Sequence, residues 1–241
     1  HSECNGGTFK TDGRNFMSTI SGAVFDLDGT LLDSMDFWKD CGKDFVRAHG
    51  IEPEDGLSEK LYRMSMAQGA HYLKQTYFPS AIEEEISKGI ELVLQDDYAK
   101  YIQLKDGAKE TLDFLSSRGI PCALATATPE QLFRPALTRL NIESYFCAVL
   151  TCPALNTSKE MPLIYQKAAE LLKTAPEETV VFEDALIPIR TAYEAGFFTA
   201  GVYDSSCGND ISKIREYSCV FLQSLADFTE TVKNGALVIA Q

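Results

Sequence analysis

The sequence predicts an α/β protein in which a parallel sheet, covered on both faces, is interrupted by an all-helical insert. Three observations carry this. Short apolar runs of β character alternate with helical patterns from Lys105 to near the end of the chain. An isolated run of the same kind, Val24-Phe25, ends in the segment Asp26-Leu27-Asp28-Gly29, as a strand does when it reaches the edge of a sheet. Between about 35 and 103 no strand signal occurs, only apolar residues at helical spacing.

The boundaries follow from these patterns: residues 18–34 and 104–241 for the sheet domain, 35–103 for the helical insert, and 1–17 for a polar, Gly-rich amino-terminal tail. The tail has no hydrophobic signal core and does not read as a secretory leader. In the insert, Phe37, Trp38, Cys41, Phe45 and Val46 recur at helical spacing, and His49-Gly50 supplies a carboxyl cap. A second pattern runs from Leu57 to Tyr77, ended by Pro79. A third runs from Ile82 to about Tyr101, with Glu83, Glu84 and Glu85 in its first turn, where acids favour the positive end of the helix dipole.

Beyond Lys105-Asp106-Gly107 the strand and helix patterns alternate. A helix from Ala108 to Arg118 precedes the strand Cys122 to Thr126, and another starts at Pro129, a residue favoured in a first turn. Ala148 to Leu150 is a short strand, Leu163 to Leu172 a helix, and Thr179 to Glu183 a strand. A helix from Ile189, a strand from Phe198 to Val202, a helix from Ile211, the strand Cys219 to Phe221 and a last helix from about Leu225 complete the series. Such βαβ units build a parallel sheet.

Four stretches at predicted strand ends or in the loops beyond them stand out chemically. Two crowded acids, Asp26 and Asp28, repel each other, and a hard cation such as Mg2+ relieves that repulsion. Thr126 offers a hydroxyl and backbone amides near a helix start, a phosphate cradle or an ordinary helix cap. Thr128 reads as the cap itself. Lys159, one of 22 Lys and Arg residues, reads by itself as solvated surface. Glu183-Asp184 follows Val-Val-Phe, and adjacent acids there are costly unless they face a cation or solvent.

Composition limits the partners. With 45% hydrophobic and 24% charged residues the chain is globular, and its net charge of -13 opposes a nucleic-acid partner. A phosphorylated substrate would need local cations, which favours a bound metal. No apolar run approaches the roughly 20 residues that span a bilayer, so no membrane partner is expected. The seven cysteines show no metal-binding pairing and read as core thiols of a cytoplasmic protein. A monomer is the default expectation.

Taken in order, these stretches resemble the motifs of the haloacid dehalogenase-like (HAD) hydrolases. The first family motif, D-x-D-G-T-L-x-D-S, is matched from Asp26 to Ser34; the second, a Ser or Thr, by Thr126. The third, a lysine in K-P-x-P, is matched by Lys159 with Pro162 kept and Glu160 in place of the first proline. The fourth, E-D or D-D, is matched by Glu183-Asp184, with Ala185 where Ser is frequent and Pro188 where Gly is common. The helical insert resembles the C1 cap of the β-phosphoglucomutase-like subfamily, and the resemblance implies a Rossmann-like core.

The resemblance implies Asp26 as nucleophile, Asp28 as general acid and base, and Thr126 and Lys159 as holders of the transferring oxygens. It implies Mg2+ on the Asp26 carboxylate, the Asp28 backbone carbonyl and Asp184, with Glu183 in support. The expected activity is hydrolysis of a small phosphorylated metabolite, a sugar phosphate or similar phosphomonoester, through an aspartyl-phosphate. Candidates for substrate contact are Arg63, Ser65, Gln68 and His71 on the cap, and Ala127. A β-phosphoglucomutase-type phosphomutase is the rival enzyme, but mutases place His where this chain has Trp38 and favour Asn near Glu130. A binding protein on the same scaffold would lose a catalytic acid, and none is lost here.

Overall fold

The computed structural model describes residues 19–234 and 237–239. The tail expected over 1–17, with Cys4 and Met17, lies outside the described residues. Two units are distinguished: one comprises the residues up to Asp33, Leu104–Pro129 and Leu140 onward, the other Ser34–Gln103 and Glu130–Arg139.

In chain order the described residues form β1 (Gly22–Phe25), then helices α1 (Met35–Ala48), α2 (Leu57–Leu61), α3 (Met66–Thr76) and α4 (Glu83–Lys100). Next come α5 (Ala108–Ser117), β2 (Cys122–Thr126), α6 (Glu130–Arg139), β3 (Phe146–Thr151) and the short α7 (Cys152–Leu155). The chain continues through α8 (Leu163–Leu172), β4 (Thr179–Glu183), α9 (Leu186–Glu194) and β5 (Phe198–Val202). It closes with α10 (Ile211–Glu216), β6 (Val220–Leu222) and α11 (Ala226–Lys233).

The first unit is the expected parallel sheet, ordered β3-β2-β1-β4-β5-β6 with every pairing parallel. The chain runs outward through β2 and β3, then crosses to β4 on the far side of β1. That reversal puts a topological switch point between β1 and β4, where open α/β sheets bind ligands at their carboxyl ends. Strands buried on both faces read as continuous apolar runs, which is why Ala-Val-Phe, Cys-Ala-Leu-Ala and Val-Val-Phe were legible. The register is held by aromatic packing as well as by the ladder: Phe25 pairs with Phe182, and their rings stack 4.3 Å apart. Phe228 of α11 meets Phe182 edge-on at 4.9 Å, closing the core on that face.

Gly107, which caps α5, has φ of 75°, and a Cβ built there would lie 2.0 Å from the backbone nitrogen of Ala226. Neither the backbone region nor the space admits a side chain. Gly107→Ala is therefore expected to destabilise by at least about 2 kcal/mol, read as a lower urea midpoint at unchanged slope.

The second unit is helical. Its core joins Cys41, Phe45 and Val46 of α1 to Leu73 of α3 and Ile86, Ile90 and Leu94 of α4. The pattern expected to run unbroken from Leu57 to Tyr77 is two helices, because the chain restarts at Ser65. The Ser65 hydroxyl accepts the Gln68 N–H at 3.3 Å, and the Gln68 side-chain oxygen accepts the Ser65 N–H at 2.9 Å. That capping box outweighs the continuous apolar spacing. Arg139 of α6 donates to the carbonyls of Tyr98 and Ile102, satisfying the exposed end of α4. No helix among the described residues is long and apolar enough to cross a membrane.

Candidate active site

The register of β1 on β4 assembles the site. Phe25 opposes Phe182, and the Asp26 N–H donates to the Phe182 carbonyl at 3.0 Å, so Asp26 arrives beside Glu183 and Asp184. One oxygen from each of the three carboxylates lies within 4.8 Å of the others. All three are buried: Asp26 is 7%, Glu183 1% and Asp184 5% exposed.

Lys159, which would pass for surface by its sequence context, is 7% exposed and reaches into this cluster. Its Nζ donates to Asp26 Oδ1 and, at 2.6 Å, to Glu183 Oε1. Burial works to lower the pKa of this ammonium, but the Asp26 and Glu183 carboxylates outweigh it and hold the group charged. Glu183 Oε1 accepts a further hydrogen bond at 2.7 Å from the buried hydroxyl of Tyr165 on α8. Asp184 Oδ1 accepts from the Thr30 hydroxyl at 3.3 Å.

One ammonium pairs with two of the three buried carboxylates, and the electrostatics record the excess. Burial pushes Glu183 up to about 8 and Asp184 up to about 8, in each case with Asp26 adding to the rise. Asp26 is raised too, by burial first; Lys159 pulls it back and the nearby Asp28 pushes it further up. A cluster of buried oxygens with surplus negative charge is the donor set of a hard divalent cation, so the acids fit a metal ion. Residues able to hold it are Asp26, Asp184 and Glu183.

Asp28 stands past the end of β1 in a turn; Gly29 follows with φ of 77°. The strand ends at Phe25 and does not continue through Asp28. Asp28 is instead held from β2's loop: the Thr128 hydroxyl donates to Asp28 Oδ2 at 2.6 Å. This corrects the expectation that Thr128 is merely a helix cap. Thr126 ends β2 buried, its Oγ1 accepting the Thr128 N–H at 3.0 Å. Ala127 lies exposed between them.

The structure thus gathers Asp26, Lys159, Glu183 and Asp184 in one buried cluster and links Asp28 to the Thr126 loop through Thr128. Arg63, Ser65 and His71 stand on the helical unit. Arg63 is exposed on the turn between α2 and α3, Ser65 caps α3, and His71 Nδ1 lies 2.9 Å from Glu83 Oε1. Gln68, the other cap candidate, completes the Ser65 capping box. Tyr165 was not singled out by the sequence, which marks it only as an apolar-face residue of a helix; Thr30 is the threonine of the first motif but carried no assigned role. The cysteines need a correction as well: Cys41, Cys122, Cys152 and Cys219 are buried, but Cys147 is exposed and Cys207 half-buried. Cys207 donates to the Asp184 carbonyl at 3.3 Å.

Comparison with known proteins places this geometry. The family model of haloacid dehalogenase-like hydrolases matches residues 20–196. A phosphorylated carbohydrates phosphatase of Thermotoga maritima is 26% identical over 177 residues, 73% of this chain and 82% of its own length. Hexitol phosphatase A of Escherichia coli is 29% identical over 222 residues, 90% of this chain and 98% of its own. Among solved structures, a T. maritima protein assigned provisionally as a β-phosphoglucomutase superposes with a TM-score of 0.80 at 25% identity, covering 89% of this chain and 99% of that one. The family match, the strand order and the acid-rimmed switch point agree: the chain belongs to the haloacid dehalogenase-like hydrolases.

Proposed function

We propose that the protein is a Mg2+-dependent phosphatase that releases inorganic phosphate from a small phosphomonoester, in the class of sugar phosphates, through an aspartyl-phosphate. The observation that carries this is the buried cluster of Asp26, Glu183 and Asp184 at the β1–β4 switch point, with Lys159 paired to Asp26 and Glu183. The relatives named as phosphatases of phosphorylated carbohydrates and hexitols support the substrate class.

In this reading an Asp26 oxygen attacks phosphorus and the ester P–O bond breaks. Asp28 gives its proton to the departing oxygen, and in the second half takes one from the water that attacks the phosphoryl group. Inorganic phosphate leaves and the Asp26 carboxylate is regenerated. Thr128 holds one Asp28 oxygen in place for both transfers. Lys159 opposes protonation of Asp26 and presents positive charge where phosphoryl oxygens gather, while Tyr165 and Glu183 fix the ammonium's direction. Thr126 supplies its hydroxyl and the loop amides beside it. Bound Mg2+ adds charge neutralisation at the phosphoryl oxygens and keeps the acid cluster ionised.

Hydrolysis of p-nitrophenyl phosphate in the presence of Mg2+ is expected, with loss of activity on adding a chelator and recovery on adding excess Mg2+. Activity indifferent to chelator would overturn the metal-dependent reading. A phosphomutase is the second reading, favoured by the structural likeness to the provisional β-phosphoglucomutase. Isomerisation of a sugar 1-phosphate without phosphate release would establish it in place of hydrolysis. The same reading has the protein acting as a cytoplasmic monomer.

A further inference from the structure

The helical unit contains a cavity of about 290 Å³, close to the lower bound of small-molecule sites, which run from roughly 300 to 1,000 Å³. Its walls include Met35 and Trp38 of α1, Leu61 of α2, Met64 and Met66 around the start of α3, and Gly69 of α3. Thioether and aromatic surface of this kind makes favourable contacts with ring faces and edges.

Three polar groups at the rim have partners within the unit. The Trp38 indole N–H donates to the Tyr98 hydroxyl at 2.9 Å, Lys39 Nζ lies 3.0 Å from a Glu59 carboxylate oxygen, and the Ser65 hydroxyl caps α3. A polyol placed among these walls would surrender its hydrogen bonds to water for few in return.

The volume is kept by residue choice. A glycine inside a helix costs about 0.5–1 kcal/mol relative to alanine, yet α3 carries Gly69. A Cβ built at Gly69 meets only Leu61 Cδ2, at an ordinary 3.6 Å, so neighbouring packing does not demand the glycine. At Gly42 the opposite holds, since a Cβ there would lie 2.5 Å from Leu61 Cδ1. Gly42 serves packing; Gly69 leaves space.

We propose that this cavity is a binding pocket for the flat, apolar ring of a small molecule, selecting aromatic surface against polyol. Trp38 is the one tryptophan of the chain and lines the pocket, so its emission reports occupancy directly. Titration of the full chain with benzyl alcohol is expected to shift that emission saturably, with an affinity at least about tenfold above that for glycerol. Gly69→Met, which fills the space and favours the helix, is expected to melt no lower than wild type and to lose the response. Met64→Gln, which makes a wall polar, is expected to weaken it. Equal affinity for glycerol and benzyl alcohol, no saturable response to either, or a folded Gly69→Met protein that responds like wild type would overturn the proposal. None of these readouts requires phosphate release, so they stand apart from the test of the phosphatase reading.

Discussion

Asp26→Asn is expected to abolish phosphate release from p-nitrophenyl phosphate, a loss of about 10⁴-fold or more, while the protein melts at or above the wild-type temperature. The two halves of this expectation have separate causes. The amide has no anionic oxygen to attack phosphorus, so no phosphoryl-enzyme forms. For stability, burial already raises the Asp26 carboxyl above its ordinary range, so exchanging a charge that burial penalises for a neutral isostere relieves crowding among the acids. Measured initial rates with Mg2+ present and a thermal melt decide both. Retained turnover would remove Asp26 as nucleophile; a sharply lower melting temperature would show that the carboxylate's hold on Lys159 outweighs its repulsion by Glu183 and Asp184.

The opposite stability sign is expected at the residue across the contact. Lys159→Met leaves Asp26 and Glu183 buried without their cation, and removing one partner of such a group costs about 3–5 kcal/mol. Turnover is expected to fall by about 10²–10³-fold in kcat, as it does when a preorganised charge at a reacting oxyanion is removed. Addition of Mg2+ should recover part of the melting temperature, because a divalent cation at the acids substitutes for the lost ammonium, but it should not recover kcat. If Lys159→Met melts like wild type, the ammonium contributes nothing net to the buried cluster. If it turns over like wild type, its position beside Asp26 is without consequence for the phosphoryl group.

How far the sequence alone led can be read from the same residues. Asp26 and the Glu183-Asp184 pair were legible because each directly follows a buried strand, and strand ends in a parallel sheet converge on one rim. The parallel sheet follows from the alternation of runs, but the order of its strands does not. Lys159 was legible only through its place in the order of motifs, since nothing local distinguishes a lysine that turns inward from the others. Tyr165 was not legible at all. Its hydroxyl reaches Glu183 because α8 packs beneath β1 and β2, a long-range fact that helical periodicity records only as burial. Thr128 was misread for a related reason: its spacing before Glu130 fits a cap, but Asp28, 100 residues away in the chain, competes for the hydroxyl and holds it. The break between α2 and α3 was hidden because both helices place apolar residues in one core, Leu57 from α2 and Leu73 from α3. Only the reciprocal Ser65 and Gln68 hydrogen bonds mark the restart.

The stacked pair Phe25 and Phe182 has a consequence for how this chain tolerates change. Each ring sits one residue before an acid of the site, so a repacking that slides one strand against its neighbour misaligns the acids by the same step. Positions that elsewhere would drift freely among apolar residues are thereby tied to the chemistry one residue on. A substitution at this central seam is therefore expected to carry a cost at the acids that one elsewhere in the sheet does not.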